Sequence, residues 1–214
     1  MGFRMQQREA GRPVVVFDLG GVLIDWNPRY LYRRLFDDAD AMEHFLAEVC
    51  NDDWNVQQDA GRPFAEAVEA AAALHPDLRP LIEAYWRRWD EMLAGPIPPS
   101  VALLEELAAA GDELYALTNW SAETFPIARE RYRFLDLFRA IVVSGEERVA
   151  KPDPRIFEVL LARIGRPAGA CLFIDDSPKN VAAAAALGFD AIRFEDGAKL
   201  RDALLARGYP LAGA

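Results

Sequence analysis

The sequence predicts an α/β fold, a Rossmann-like parallel sheet with an all-helical bundle inserted near its start. Three observations carry this. Short apolar runs end abruptly on polar residues, such runs alternate with helical stretches from about residue 98 onward, and the texture between 28 and 95 is helical throughout.

The first run, Pro-Val-Val-Val-Phe at 13–17, is too short for a helix and apolar at every position. That pattern belongs to a strand covered on both faces. Next come "PRYLYRRLF", "DADAMEHFLAEVC", "PFAEAVEAAAALH" and "DLRPLIEAYWRRWDEML", whose apolar residues recur at helical spacing with no β-branched cluster. From 98 the elements alternate: a helix over 100–110 closed by Gly111, the strand "ELYALT", a helix over 122–134, and the strand "AIVVS". A helix over 154–164 closed by Gly165, the strand "ACLFID", a helix over 178–187 closed by Gly188 and the strand "DAIRF" complete the series. Asp153-Pro154 and Ser177-Pro178 each place a capping residue before a proline at the first helical position. The expected organisation is therefore a core built from 12–26 and 97–214, with 27–96 as a helical cap.

A chain of 214 residues can bury one substantial core with a smaller insert, and 52% hydrophobic against 27% charged residues disfavours disorder. The formal charge of −10 offers no attraction for a nucleic-acid backbone or an anionic membrane, so a small-molecule partner is expected, with monomer and homodimer both open. Cys50 and Cys171 form no CxxC pair, which disfavours a disulfide framework or zinc site and suits a reducing compartment. The opening "MGFRMQQREAGR" lacks the apolar centre of a secretory signal, and no run approaches membrane-spanning length. A frayed tail and a cytoplasmic location are the expectations.

In a parallel sheet, ligands bind at the carboxyl ends of the strands near the switch point. The residues there are Asp18, Thr118 with Asn119, Ser144 with Gly145, and Asp175 with Asp176. Clustered carboxylates raise one another's pKa unless a cation sits among them. Magnesium is the natural occupant, because it takes oxygen ligands and needs only one or two carboxylates besides water and phosphate. Lys151 in "VAKPDPRIF" is one of only three lysines and supplies a cation able to touch a phosphoryl group. A carboxylate, a metal cradle, a hydroxyl and a cation are the parts that phosphoryl transfer requires, and aspartyl-phosphate formation is one established route.

The order "FDLGGVL", "LTN", "KPDPRIF" and "FIDDSPKN" resembles the four motifs of the haloacid dehalogenase (HAD) superfamily, and the helical insert resembles its C1-type cap. The likeness spans about 13–195 and is nearest to phosphatases with Asp-Leu-Gly where most members have Asp-x-Asp. It implies a magnesium-dependent phosphatase of small metabolites, a sugar phosphate being the modest expectation. Asp18 would be the nucleophile, with Thr118, Asn119 and Lys151 on the phosphoryl group. Asp18, Asp176 and Asp175 would hold the metal together with the backbone carbonyl of Gly20. The family's general acid stands at the position of Gly20, so that function is missing here unless Asp25 or a cap residue supplies it.

Two other readings remain at this point. A 2-haloacid dehalogenase would use the same aspartate, but similar dehalogenases lack the acidic pair that Asp175 and Asp176 retain. A weakly catalytic binding module is favoured only by Gly20. In the insert, Trp54, Asp59, Arg62, Trp86 and Trp89 are pocket candidates, with helix packing the expectation for the tryptophans. Lys179 reads as a solvated first-turn lysine, and Asn180 as a residue that orients Asp176.

Overall fold

A computed structural model describes residues 12–211, and the expected tail over 1–11 lies outside them. Arg12, the first described residue, is held by a 2.8 Å hydrogen bond from its Nε to Asp112 Oδ1.

Five parallel strands form the sheet: β1 (Val14–Phe17), β4 (Leu114–Thr118), β5 (Ala140–Val143), β6 (Cys171–Asp175) and β7 (Asp190–Arg193). Their spatial order is β5-β4-β1-β6-β7, so β1 lies in the middle and the strand order reverses on either side of it. In register, Phe17 stands opposite Ala116 on β4 and Ile174 on β6. The two sides of β1 feed different cores. Val15 and Phe17 belong to one buried cluster, Val14 and Val16 to the other. An unbroken apolar strand is the sequence of a ribbon buried on both faces.

The connecting helices are α6 (Pro98–Ala109), α7 (Phe125–Arg131), the single turn α8 (Ser144–Glu147), α9 (Pro154–Ile164), α10 (Pro178–Ala186) and α11 (Gly197–Ala206). The helix expected over 122–134 is shorter than its pattern, because Pro126 begins it late and a 3-10 stretch follows from Arg133. No helix over 197–206 is evident in the sequence pattern, yet α11 forms there, capped by Asp196 accepting from the Lys199 backbone. Asp153 caps α9 as expected. Ser177 occupies the N-cap of α10, but its hydroxyl caps nothing.

Between β1 and β4 the chain forms β2 (Ile24–Trp26), then α1 (Arg29–Tyr32), α2 (Ala39–Glu48), α3 (Asp52–Asp59), α4 (Phe64–Leu74), α5 (Arg79–Arg87) and β3 (Leu93–Pro96). β2 and β3 pair antiparallel as a two-stranded ribbon at the two ends of the helices. The sequence assigns 93–95 to helix, and this is corrected: pairing with β2 overrides a segment, Leu-Ala-Gly-Pro, with no strand propensity of its own. α3 falls inside the block expected to be helical, though "DDWNVQQD" is not one of the four quoted stretches, because it buries only Trp54 and Gln58 and shows no apolar stripe. The apolar side chains of the insert, among them Phe45, Trp54, Phe64, Ile82 and Tyr85, join the same core cluster as Val15 and Phe17. Insert and sheet therefore share one hydrophobic interior.

Among the described residues no helix is long and apolar enough to cross a membrane, and Cys50 and Cys171 are buried free thiols.

Candidate active site

β1 runs one residue beyond its last ladder pair. The Asp18 backbone donates to Ile174 O at 2.8 Å, which holds the carboxylate at the sheet edge. Its Oδ1 accepts from the Leu19 backbone at 2.7 Å and from Lys151 Nζ at 2.9 Å. The chain then folds back tightly, with Leu23 and Ile24 both donating to Leu19 O at 2.8 Å. The two glycines of this turn differ in purpose. Gly20 is not left-handed, and a Cβ there would meet no atom within 4 Å. Gly21 has φ +72°, and a Cβ on it would come within 2.4 Å of Asp176 Oδ2. Asp176 thus packs directly over Gly21.

Lys151 is buried, and its three protons are all engaged, by Leu117 O at 2.9 Å, Asp175 Oδ2 at 2.7 Å and Asp18 Oδ1 at 2.9 Å. Burial lowers the pKa of the ammonium, but Asp18 and Asp175 outweigh it and the net shift is upward. Its backbone is fixed as firmly. Asn119 Oδ1 accepts from Lys151 N at 2.8 Å and Asn119 Nδ2 donates to Lys151 O at 2.9 Å. Asn119 thus positions Lys151 with its side-chain oxygen and one amide proton, while it also lines the cavity. Thr118, by contrast, is 1% exposed, and its Oγ1 has no hydrogen-bond partner among the described residues. A buried hydroxyl left unpaired costs about 1–3 kcal/mol, and a ligand oxygen is what would satisfy it.

Asp175 is wholly buried and saturated. Its Oδ1 accepts from the Ser177 backbone at 2.8 Å, Oδ2 from Lys151, and Asn180 Nδ2 reaches both oxygens at 3.1 Å. Asn180 therefore orients Asp175 and not Asp176, which corrects the expectation. Asp176 is exposed beyond the strand end. One oxygen each from Asp18, Asp175 and Asp176 lies within 4.8 Å of the others.

Three carboxylates face one ammonium. Burial is the main force that pushes the Asp18 carboxyl up to about 8; Lys151 lowers it, and Asp175 and Asp176 raise it further. Burial also raises Asp176, with Asp175 adding to the shift. An all-oxygen donor set with an uncompensated negative charge fits a hard divalent cation. Each of the three carboxylates can offer one oxygen to such an ion, Asp175 being the most tightly held, since both its oxygens already accept from Lys151, Asn180 or the Ser177 backbone.

The insert closes over this edge. Ser144 Oγ accepts from Trp120 N at 2.9 Å and donates to Asp59 O at 2.5 Å, while Glu123 Oε1 accepts from Phe64 N at 2.8 Å. Between insert and core lies a cavity of about 70 Å³ lined by Gly20, Trp26, Asn55, Asp59, Trp89, Asn119 and Trp120. The pocket candidates divide accordingly. Asp59 and Trp89 line the cavity. Trp54 packs edge-on against Tyr85 at 5.1 Å, Trp86 stacks on Phe64 at 6.1 Å, and Arg62 binds Gln58 Oε1 at 2.7 Å, so these three brace the insert. Trp26, Asn55 and Trp120 are lining residues that the sequence reading does not single out. Asp25 faces elsewhere and accepts from Tyr30 Oη at 2.8 Å. Lys179 is exposed at the rim of the wider cleft that includes Lys151.

Comparison with known proteins agrees with this geometry. The family model described as haloacid dehalogenase-like hydrolase matches residues 13–188. The chain is 29% identical over 194 residues to a sesquiterpene phosphatase of Aspergillus oryzae, covering 85% of this chain and 89% of that one. It is 27% identical to a phosphorylated carbohydrates phosphatase of Thermotoga maritima, covering 83% and 82%. Among solved structures, a HAD family enzyme from Bacteroides thetaiotaomicron, determined as its magnesium complex, superimposes with TM-score 0.67 at 25% identity, covering 87% of this chain and 95% of that one.

Proposed function

The chain belongs to the haloacid dehalogenase-like hydrolases and is an enzyme, and from that premise we propose that it is a magnesium-dependent phosphomonoester hydrolase acting on a small metabolite through an aspartyl-phosphate on Asp18. The observation that carries this reading is the convergence of Asp18, Lys151 and the unpartnered Thr118 hydroxyl on one sheet edge beside Asp176.

Asp18 Oδ2 is the oxygen not held by Leu19 or Lys151, and it is the attacking atom. Lys151 keeps the neighbouring Oδ1 fixed, so the nucleophile is oriented before substrate arrives, which removes part of the entropic cost of attack. Thr118 Oγ1 donates to a non-bridging oxygen of the phosphoryl group and gains the partner it lacks in the free protein. Asn119 and Asn180 hold Lys151 and Asp175 in place. Asp18, Asp175, Asp176 and the Gly20 carbonyl are the groups that would hold magnesium, Asp175 being the most tightly held of the carboxylates. When bound, the metal would neutralise the carboxylate excess and offset charge on the phosphoryl oxygens. The insert, packed against the sheet edge, would restrict access of bulk water to the phosphoryl group.

The retained acidic pair favours this reading over halide displacement. The named relatives are a sesquiterpene phosphatase and a phosphorylated carbohydrates phosphatase; for this chain, tryptophans at 26, 89 and 120 favour a substrate with an apolar face. No nucleic-acid or membrane partner is proposed. The test is release of inorganic phosphate from 4-nitrophenyl phosphate with magnesium and with EDTA. Magnesium-dependent release is expected, and release of halide from a 2-haloacid in its place would overturn the reading.

A further inference from the structure

We propose that Asp59, carried by the inserted helix α3, performs the proton transfers that the side chain at position 20 cannot, donating to the leaving oxygen and then accepting from the attacking water. This inference rests on the phosphatase reading above.

A Cβ at position 20 would meet no atom within 4 Å, and Gly20 and Asp59 both line the 70 Å³ cavity. The absent side chain and the available carboxylate therefore address the same volume. Among the described residues, Asp59 is the only carboxylate lining it. The alternatives are committed elsewhere: Asp25 to Tyr30, Glu123 to the Phe64 backbone. The helix that carries Asp59 ends against the core, where Ser144 Oγ donates to the Asp59 carbonyl, so the carboxyl is presented by a fixed backbone. Asn55 Nδ2 donates to Oδ2 at 3.0 Å from one turn earlier in α3.

The titration of Asp59 suits the task. Burial is the main cause that pushes it up to about 7, and the Ser121 backbone and Lys151 pull the other way. The titratable groups that face it are Lys151 across the cleft and Tyr85 within the insert. A carboxyl poised near neutrality can both give and take a proton at working pH.

In the first step an Asp18 oxygen bonds to phosphorus as the ester P–O bond breaks, and the Asp59 proton passes to the departing alkoxide oxygen. In the second, water attacks phosphorus, its proton passes to the Asp59 carboxylate, and the bond between Asp18 and phosphorus breaks to release phosphate. Asp59 ends protonated, as it began.

The test compares kcat/KM for ethyl phosphate, a poor leaving group, with that for 4-nitrophenyl phosphate, a good one. Asp59→Asn is near-isosteric and keeps an oxygen for Asn55. It is expected to lose ~10² to 10⁴ on ethyl phosphate and less than about tenfold on the aryl ester, since only the poor leaving group needs a proton. Adding Gly20→Asp to Asp59→Asn is expected to restore turnover of ethyl phosphate by more than about tenfold, because the site beside Gly20 has room. Equal losses on both esters, or none, would overturn the assignment while the phosphatase reading stood. A wild-type protein silent on both esters would overturn both.

Discussion

Lys151 Nζ lies 2.7 Å from Asp175 Oδ2, and both side chains are fully buried. The pair sits beneath the reactive edge and ties the loop after β5 to the end of β6. Removing one member of such a pair leaves an uncompensated charge, at a cost of about 3–5 kcal/mol. Lys151→Met is expected to lower the melting temperature by about 6–20 °C at neutral pH, given 2–4 °C per kcal/mol for a chain of this size. A thermal melt followed by circular dichroism checks it; a shift under about 2 °C would mean the lysine is not structural.

Thr118 separates stability from function. Its hydroxyl is buried without a partner, so Thr118→Val removes a group that the free protein does not use. The expected melting temperature is equal or higher, because an apolar replacement of similar shape relieves an unpaired polar atom. The expected kcat/KM for 4-nitrophenyl phosphate falls by about 10- to 100-fold, the loss of one or two charge-assisted hydrogen bonds to the phosphoryl group. A less stable variant with full activity would contradict the assignment.

The adjacent glycines are expected to behave oppositely. Gly20→Ala meets open space at an ordinary backbone conformation and should leave the fold and magnesium binding unchanged. Gly21→Ala combines a left-handed φ with a Cβ driven into Asp176, and should lower stability by about 1 kcal/mol or more and weaken magnesium binding. Isothermal titration of magnesium into both variants, beside the upward shift in melting temperature that bound metal produces, distinguishes them.

Asp59 also gives the protein a pH dependence that can be read without turnover. Its folded pKa of about 7 lies above the ordinary carboxylate value, so the folded state holds a proton that the unfolded chain has released. Its contribution to stability is greatest in acid and declines as pH rises from the unfolded pKa through about 7. Asp59→Asn carries no such dependence. The variant is therefore expected to gain about 2 kcal/mol on the wild type between pH 5 and pH 8, some 4–8 °C in melting temperature. Parallel melts at the two pH values test this, and an unchanged difference would place the Asp59 pKa in the ordinary range.

Much of this was legible in the sequence, and the residues show why. β1, β4 and β6 announce themselves because a strand buried on both faces must be apolar throughout, and a carboxylate or threonine at its end has nowhere to go but the sheet edge. Asp18, Thr118, Asp175 and Asp176 follow from that alone, and Lys151 stands out as one of only three lysines. Roles set by long-range contacts did not follow. Asn119 sits beside Thr118 in sequence but spends its amide on a main chain thirty-two residues further on. Asn180 finds Asp175 rather than its neighbour because the turn at Ser177 brings the helix back over the strand end. Trp26 and Trp120 become lining residues only when β2 and the loop after β4 are brought together under α3. Asp59 is legible as a pocket candidate, but its place beside Gly20 is not, since the helix that carries it lacks an apolar stripe and docks through Ser144, a residue eighty-five positions away.

The central claim is that a phosphoryl group passes through Asp18. The most direct measurement is acid quench of the protein within the first turnover of 4-nitrophenyl phosphate and magnesium, followed by mass spectrometry of its peptides. The account predicts one added phosphoryl group on the peptide that carries Asp18, and neither the adduct nor turnover in Asp18→Asn. Turnover with no adduct, or with the adduct on another peptide, would contradict it.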